Sequence, residues 1–350
     1  MNAQKLAETA LALVAPGKGI LAADESGTTI KRRFDSIGAE STDESRRDYR
    51  ELLFRTAGAA EYVSGVILYD ETLRQNAADG TSLVKVLTDQ GIIPGIKVDV
   101  GGQDLAGSPE EKITEGLDGL RDRVAEYAAL GARFAKWRAI ITIGPGIPTD
   151  YCIQANAHAL ARFAALCQEG GLVPIVEPEV LMDGDHGIDR CFEVTETTLR
   201  EVYYELGRQG VDLEGSLLKP NMVLSGKDTG DRAYAAEVGK QTVACFKRTV
   251  PAAVPGVVFL SGGQSDREAT ANLDAINRRA AEVGAPWELS FSYGRGLQAA
   301  PLKAWGGAAS NADAAQRAFH RRARLTSAAR RGAYSPDMET VTVADQDRRT

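Results

Sequence analysis

The chain has 350 residues, 43% of them hydrophobic, which is enough to bury a large core as one big α/β domain or two smaller ones. A formal net charge of -7 argues against nucleic acid or an anionic membrane as the main partner, while leaving room for a local basic pocket that holds a small anion. The four cysteines, Cys152, Cys167, Cys191 and Cys245, form no C-x-x-C pair, so neither a zinc ribbon nor a disulfide framework is expected, and a reducing compartment is the simplest setting.

The opening segment puts Leu6, Ala10, Leu13 and Val14 on one face of a helix. Glu8 and an apolar run of only six residues spoil a signal peptide. No stretch approaches the roughly 20 apolar residues needed to span a bilayer, so a soluble, cytoplasmic protein is expected. Eight short apolar runs then follow: GILAADES (19–26), VSGVILYD (63–70), IIPGIKVD (92–99), RFAKWRAII (133–141), LVPIVEPE (172–179), SLLKPNMV (216–223), GVVFLSGG (256–263) and WELSFSYGRG (287–296). Helical segments lie between them. Ser108 in SPEEK, with Pro109 in the first helical position, and Ser265 in SDRE both match the Ser-x-x-Glu capping box. TDYCIQANAHALARFAALCQ reads as a long amphipathic helix closed by Gly170 and Gly171. Periodicity is lost after about residue 326, so a single domain of residues 1–335 is expected, with a mobile polar tail at 336–350.

Strands alternating with helices imply parallel pairing through crossovers, and eight such units close a (β/α)8 TIM barrel. An open doubly wound sheet is the other arrangement, but no Gly-x-Gly-x-x-Gly follows the first strand and no Walker-type loop is present.

Charged or polar residues sit near the C-terminal ends of these runs: Asp24, Asp70, Lys97, Lys136 with Arg138, Glu177 with Glu179, Lys219, Ser261 and Arg295. In a barrel those ends converge on the face that carries active sites. Two-residue spacing puts Lys136 and Arg138 on one side of their strand, and Glu177 and Glu179 on one side of theirs. The glycine turns LSGGQS and SYGRGL suit backbone binding of a phosphate, and Arg295 can fork two hydrogen bonds onto it.

Lys219, between Leu218 and Pro220, reads either as a strand-end lysine whose head reaches water or as a desolvated amine poised to attack a carbonyl. A nearby Lys136 and partial burial favour the neutral amine. Glu177 is then placed to supply the proton that expels water, and Asp24 to take a proton from a substrate hydroxyl.

GILAADES, PGIKVD, FAKWR, IVEPE, LLKPNMV, FLSGGQS and SFSYGR, in this order, closely resemble class I fructose-bisphosphate aldolase, the Schiff-base type, from residue 2 to about 335. The resemblance implies a (β/α)8 barrel, a homotetramer, and reversible cleavage of fructose 1,6-bisphosphate in glycolysis and gluconeogenesis, with sugar phosphates as partners and no cofactor. It makes Lys219 the Schiff-base lysine, Glu177 its acid/base and Asp24 the base for the substrate hydroxyl, with Lys136, Arg138 and Glu179 completing the charged network. Ser261, Gly262, Gly294 and Arg295 match the phosphate site of the ketone half. Lys97, Arg33 and Thr29, the last where the motif commonly has serine, match the other phosphate site. Animal members end in a tyrosine that reaches the active site, whereas this chain ends DQDRRT, so no donor is assigned to the enamine carbon. A metal-dependent aldolase would need clustered ligands, and His158, His186 and His320 show no ligand spacing. No metal is therefore expected. A Schiff-base lyase or transaldolase acting on another sugar phosphate, and a scaffold protein, are the remaining alternatives.

Overall fold

The structure is a computed structural model and describes residues 3–340. Its strands are β1 (Gly19–Ala23), β2 (Val63–Leu68), β3 (Ile93–Lys97), β4 (Gly101–Leu105), β5 (Ser108–Glu115), β6 (Phe134–Ile141), β7 (Val173–Val180), β8 (Leu217–Leu218), β9 (Gly256–Phe259) and β10 (Glu288–Tyr293). All but β4 and β5 pair in parallel and close a barrel in the order β1-β10-β9-β8-β7-β6-β3-β2. Each apolar run of the sequence contributes one barrel strand, and the fold is the expected (β/α)8 barrel.

Alternation decides what the barrel holds. Ile20, Ala22, Ile67, Phe134, Val173, Ile175, Leu217 and Val258 form one buried cluster inside it. The helix Ala3–Leu13 plugs the N-terminal opening by adding Leu6, Ala10 and Leu13 to that cluster. Packing is tight enough that a Cβ on Gly95 would come within 2.3 Å of the Phe134 ring, so only glycine fits there. Side chains two residues apart share a face of a strand. Asp24, Lys136, Glu177 and Lys219 therefore continue the rows of Ala22, Phe134, Ile175 and Leu217 one step toward the C-terminal opening. The apolar layer is the floor on which the charged layer stands.

Two segments differ from expectation. SPEEK does not start a helix. It opens β5, which pairs antiparallel with β4 across a turn where Gly107 has a φ of 81°. Ser108 does meet Glu111, but as Oγ donating to the carboxylate at 2.8 Å and not as a cap on a backbone N–H. Fully buried Glu111 instead serves another helix, accepting from Thr149 N and Thr149 Oγ1 at 2.7 Å each, just before the helix Asp150–Glu169. That long helix is as expected, with Thr149 capping Cys152 N at 3.1 Å and Gly170 at its end. The SDRE helix also forms, as Asp266–Glu282, with Ser265 accepting from Glu268 N.

The second difference is the end of the chain. The helix Ala312–Arg330 runs through residue 326, and its buried face includes polar Ser327 and Arg330. Ser327 donates to Gly17 O at 2.6 Å, and Arg330 reaches Glu288 at 2.9 Å. Beyond it Tyr334 is buried, and Glu339 accepts from Arg322 at 2.7 and 2.8 Å and from the Tyr334 hydroxyl at 3.1 Å. Ion pairs hold this stretch where an apolar period would ordinarily be sought. Residues 341–350 of the expected tail lie outside the described residues.

Candidate active site

The C-terminal opening of the barrel holds a cavity of about 710 Å³, and every residue the family resemblance assigns to the site lines it: Asp24, Thr29, Arg33, Lys97, Lys136, Arg138, Glu177, Glu179, Lys219, Ser261, Gly262, Gly294 and Arg295. Asp70 does not. It begins the short helix Asp70–Arg74, outside the barrel, and pairs with Arg74 at 3.0 Å.

At the base of the cavity lie two buried lysines with a carboxylate between them. Lys219 Nζ stands 3.3 Å from Glu177 Oε1, and Lys136 Nζ stands 3.4 Å from Glu177 Oε2. Lys136 also meets Asp24 Oδ2 at 2.8 Å and Asp99 Oδ2 at 3.6 Å. Burial works against the charges of Asp24 and Lys136, and the opposite charges around each overrule it. Lys136, Lys219 and Lys97 hold the Asp24 carboxyl well below the usual carboxylate range. Asp24, Glu177 and Asp99 hold the Lys136 ammonium above the ordinary lysine range. Lys136 is thus the fixed cation of the site. Arg138 pairs with Glu179 beside it, and its backbone N–H donates to Asp99 Oδ2 at 3.2 Å.

The cavity has two cationic ends. At one, Arg295 is the first residue of the helix Arg295–Trp305 and donates to Gly262 O, while Ser261 Oγ accepts from Gly296 N at 3.4 Å. A helix N-terminus, a glycine turn and a guanidinium converge there, the combination that binds an oxyanion. At the other, Arg33 pairs with Glu25, Lys97 pairs with Asp99 Oδ1 at 2.7 Å, and Thr29 Oγ1 accepts from Ser26 Oγ at 3.2 Å.

Several residues here were not anticipated from sequence. Asp99 binds both Lys97 and Lys136, and its only signal was its place two residues after Lys97 in PGIKVD. Glu25 holds Arg33 and is itself held by Gln298 Nε2 at 2.8 Å, while buried Arg50 donates to its carbonyl at 3.0 Å. Nothing in sequence spacing connects Glu25 with Gln298. Ser292 lines the cavity at 1% exposure, and its hydroxyl has no hydrogen-bond partner among the described residues. Its signal was alternation, since Ser290 and Ser292 share a face of β10.

Such a site suits amine attack on a carbonyl of a doubly phosphorylated substrate. A family model described as fructose-bisphosphate aldolase class-I matches residues 5–348. The chain belongs to the class I fructose-bisphosphate aldolase family. As a member of it, the chain is a carbon–carbon lyase that cleaves fructose 1,6-bisphosphate reversibly. It is 59% identical over 305 residues to a probable fructose-bisphosphate aldolase class 1 of Xanthomonas campestris, an alignment covering 87% of this chain and 90% of the relative. It is 54% identical over 324 residues to the cytosolic fructose-bisphosphate aldolase 4 of Arabidopsis thaliana, covering 93% and 82% of the two chains. The crystal structure of a fructose-bisphosphate aldolase from Plasmodium falciparum superposes with a TM-score of 0.93 at 50% identity, covering 95% of this chain and 96% of that one.

Proposed function

We propose that Lys219 is the nucleophile of this aldolase and that the two cationic ends of the cavity bind the two phosphates of its substrate. The neutral Lys219 amine adds to the C2 carbonyl of the open-chain ketose, and Glu177 protonates the departing hydroxyl so that water leaves and an iminium forms. Asp24, kept as a carboxylate by its lysine neighbours, accepts the proton of the C4 hydroxyl. The C3–C4 bond then breaks, its electron pair passes to the iminium as an enamine, and glyceraldehyde 3-phosphate is released. The Lys136 ammonium stabilises the negative charge that develops on the C4 oxygen. Protonation at C3 and hydrolysis free dihydroxyacetone phosphate and restore the amine.

The observation that carries this reading is the shared carboxylate, with Glu177 in reach of Lys219 at one oxygen and of Lys136 at the other. A proton handed on by Glu177 has both lysine nitrogens within 3.4 Å of the carboxylate. Ser261, Gly262, Gly294 and Arg295 take the phosphate on C1, and Lys97, Arg33 and Thr29 the phosphate on C6. In this reading residues 1–335 are one catalytic domain and residues 336–350 its polar extension, working as a cytoplasmic homotetramer. Cytosolic relatives support that setting, and no helix among the described residues is long and apolar enough to cross a membrane.

Lys219→Ala tests the assignment, and it should fold normally by circular dichroism and cleave no fructose 1,6-bisphosphate. Turnover within about tenfold of the parent, some 1.4 kcal/mol in barrier, would remove Lys219 from the nucleophile's place.

A further inference from the structure

The nucleophile stands at the end of the shortest strand in the barrel. Ladder pairing of β8 covers Leu217 and Leu218 only, followed by one bond on the β7 side, from Lys219 N to Val176 O at 2.8 Å, and one on the β9 side, from Leu260 N to Pro220 O at 3.1 Å. Pro220, next in line, has no N–H to give. The segment Pro220–Leu224 is nevertheless buried throughout. Beyond the Pro220 carbonyl, its backbone groups must find partners outside the ladder, because an unpaired buried amide or carbonyl is costly.

Side chains supply them. Asn221, 3% exposed, accepts from Val180 N at 3.0 Å through Oδ1, and donates through Nδ2 to Thr195 Oγ1 at 3.1 Å and Met222 O at 3.0 Å. Val223 N donates to Thr242 Oγ1 at 3.0 Å, and Leu224 N to Cys191 Sγ at 3.4 Å. Val180 is the last residue of β7, directly after Glu179 and three residues past Glu177. Its N–H can only donate, so the Asn221 amide oxygen must face it and takes the place of the carbonyl that a longer β8 would have offered. One amide thus ties the chain two residues beyond Lys219 to the end of the strand that carries Glu177. Thr195, on the helix Ile188–Arg208, fixes the other side of that amide from outside the cavity.

We propose that Asn221 is a positioning residue that sets the separation between the Lys219 amine and the Glu177 carboxylate, and so the rate at which the covalent adduct forms. The inference rests on the Schiff-base reading of Lys219. Misplacement of a reacting group by about 1 Å can cost on the order of a hundredfold in rate. Asn221 touches no lining group of either phosphate end, so its loss should fall on adduct formation and spare substrate binding.

The test is a double-mutant cycle of Asn221→Ala and Thr195→Val, read as the rate of borohydride-trapped adduct with dihydroxyacetone phosphate in rapid-quench experiments. Asn221→Ala should slow trapping by about 30-fold while KM for fructose 1,6-bisphosphate stays within about threefold, a split that general loss of stability does not produce. Thr195→Val should slow it by about three- to tenfold, and the double variant should be no slower than Asn221→Ala, because both act through one amide. Trapping at the parent rate in either single variant, or losses that multiply in the double, would overturn the proposal. Should Asn221→Ala fail to fold, the Thr195→Val rate alone decides. Lys219→Ala, run alongside, separates the two questions: an adduct still formed in that variant would refute the Schiff-base reading, whereas no adduct there with parent rates in the others would refute only the role of Asn221.

Discussion

At one end of the cavity Arg295 leans on a backbone carbonyl beside a glycine turn and a helix N-terminus, with no salt-bridge partner among the described residues. At the other, Arg33 lies against Glu25 and Lys97 against Asp99. The first end offers a cation with no carboxylate partner among the described residues, beside a glycine turn and a helix start that line the cavity. The second offers cations whose charge is committed to carboxylates, so a phosphate arriving there must compete for them. Preorganised donors bind without rearrangement, while exchanged ones return only the difference between two partners. Affinity should therefore reside mainly at the Arg295 end, to which the proposed reading gives the phosphate on C1. The Lys97 and Arg33 end should govern the choice between one phosphate and two.

Three substitutions sharpen or break that contrast. Arg295→Ala should have the largest effect, raising KM for fructose 1,6-bisphosphate and fructose 1-phosphate alike by about 30- to 100-fold, the scale of a lost charged hydrogen bond of roughly 2 to 3 kcal/mol. A loss confined to the bisphosphate would reverse the assignment of the two ends. Lys97→Met should raise KM for the bisphosphate about tenfold and leave the 1-phosphate within about twofold, since part of the Lys97 charge is already spent on Asp99. Equal losses on both substrates would show that Lys97 serves the chemistry through Asp99 and not the phosphate. Smallest is Glu25→Gln, which keeps a group that Gln298 can bond and releases Arg33. It should lower KM for the bisphosphate by about two- to fourfold, in line with the modest worth of a partly exposed ion pair. A rise instead would mean that Glu25 aims Arg33 and does not restrain it.

Legibility from sequence follows the same division. The barrel and its charged layer could be read because each strand carries its own period, so Lys136, Glu177 and Lys219 follow from Phe134, Ile175 and Leu217 by alternation alone. The counter-charges could not. Asp99 meets Lys136 across 37 residues of chain, and Gln298 meets Glu25 across 273. No local pattern records such distances. SPEEK misled because Ser-x-x-Glu is equally a capping box and a serine bonding a glutamate three residues on at the irregular start of a strand, and only the antiparallel pairing with Gly101–Leu105 distinguishes them. The end of the chain misled because Ser327, Arg330 and Glu339 hold it through polar contacts, and its buried Ala329 and Tyr334 are too few to show a hydrophobic period. Asn221 stood in plain view in LLKPNMV, yet its partners Val180 and Thr195 belong to a strand and a helix elsewhere in the chain.

The most direct measurement of the central claim is a mass spectrum of the protein after incubation with dihydroxyacetone phosphate and borohydride. The amine 3.3 Å from Glu177 should be the one modified, so the reduced adduct should appear on the peptide containing LLKPNMV and inactivate the enzyme irreversibly. Lys136→Ala should still form that adduct, more slowly, because the proposed mechanism uses Lys136 as a fixed cation and Lys219 as the nucleophile. An adduct on Lys136 or Lys97, or none on Lys219 in active enzyme, would contradict the account.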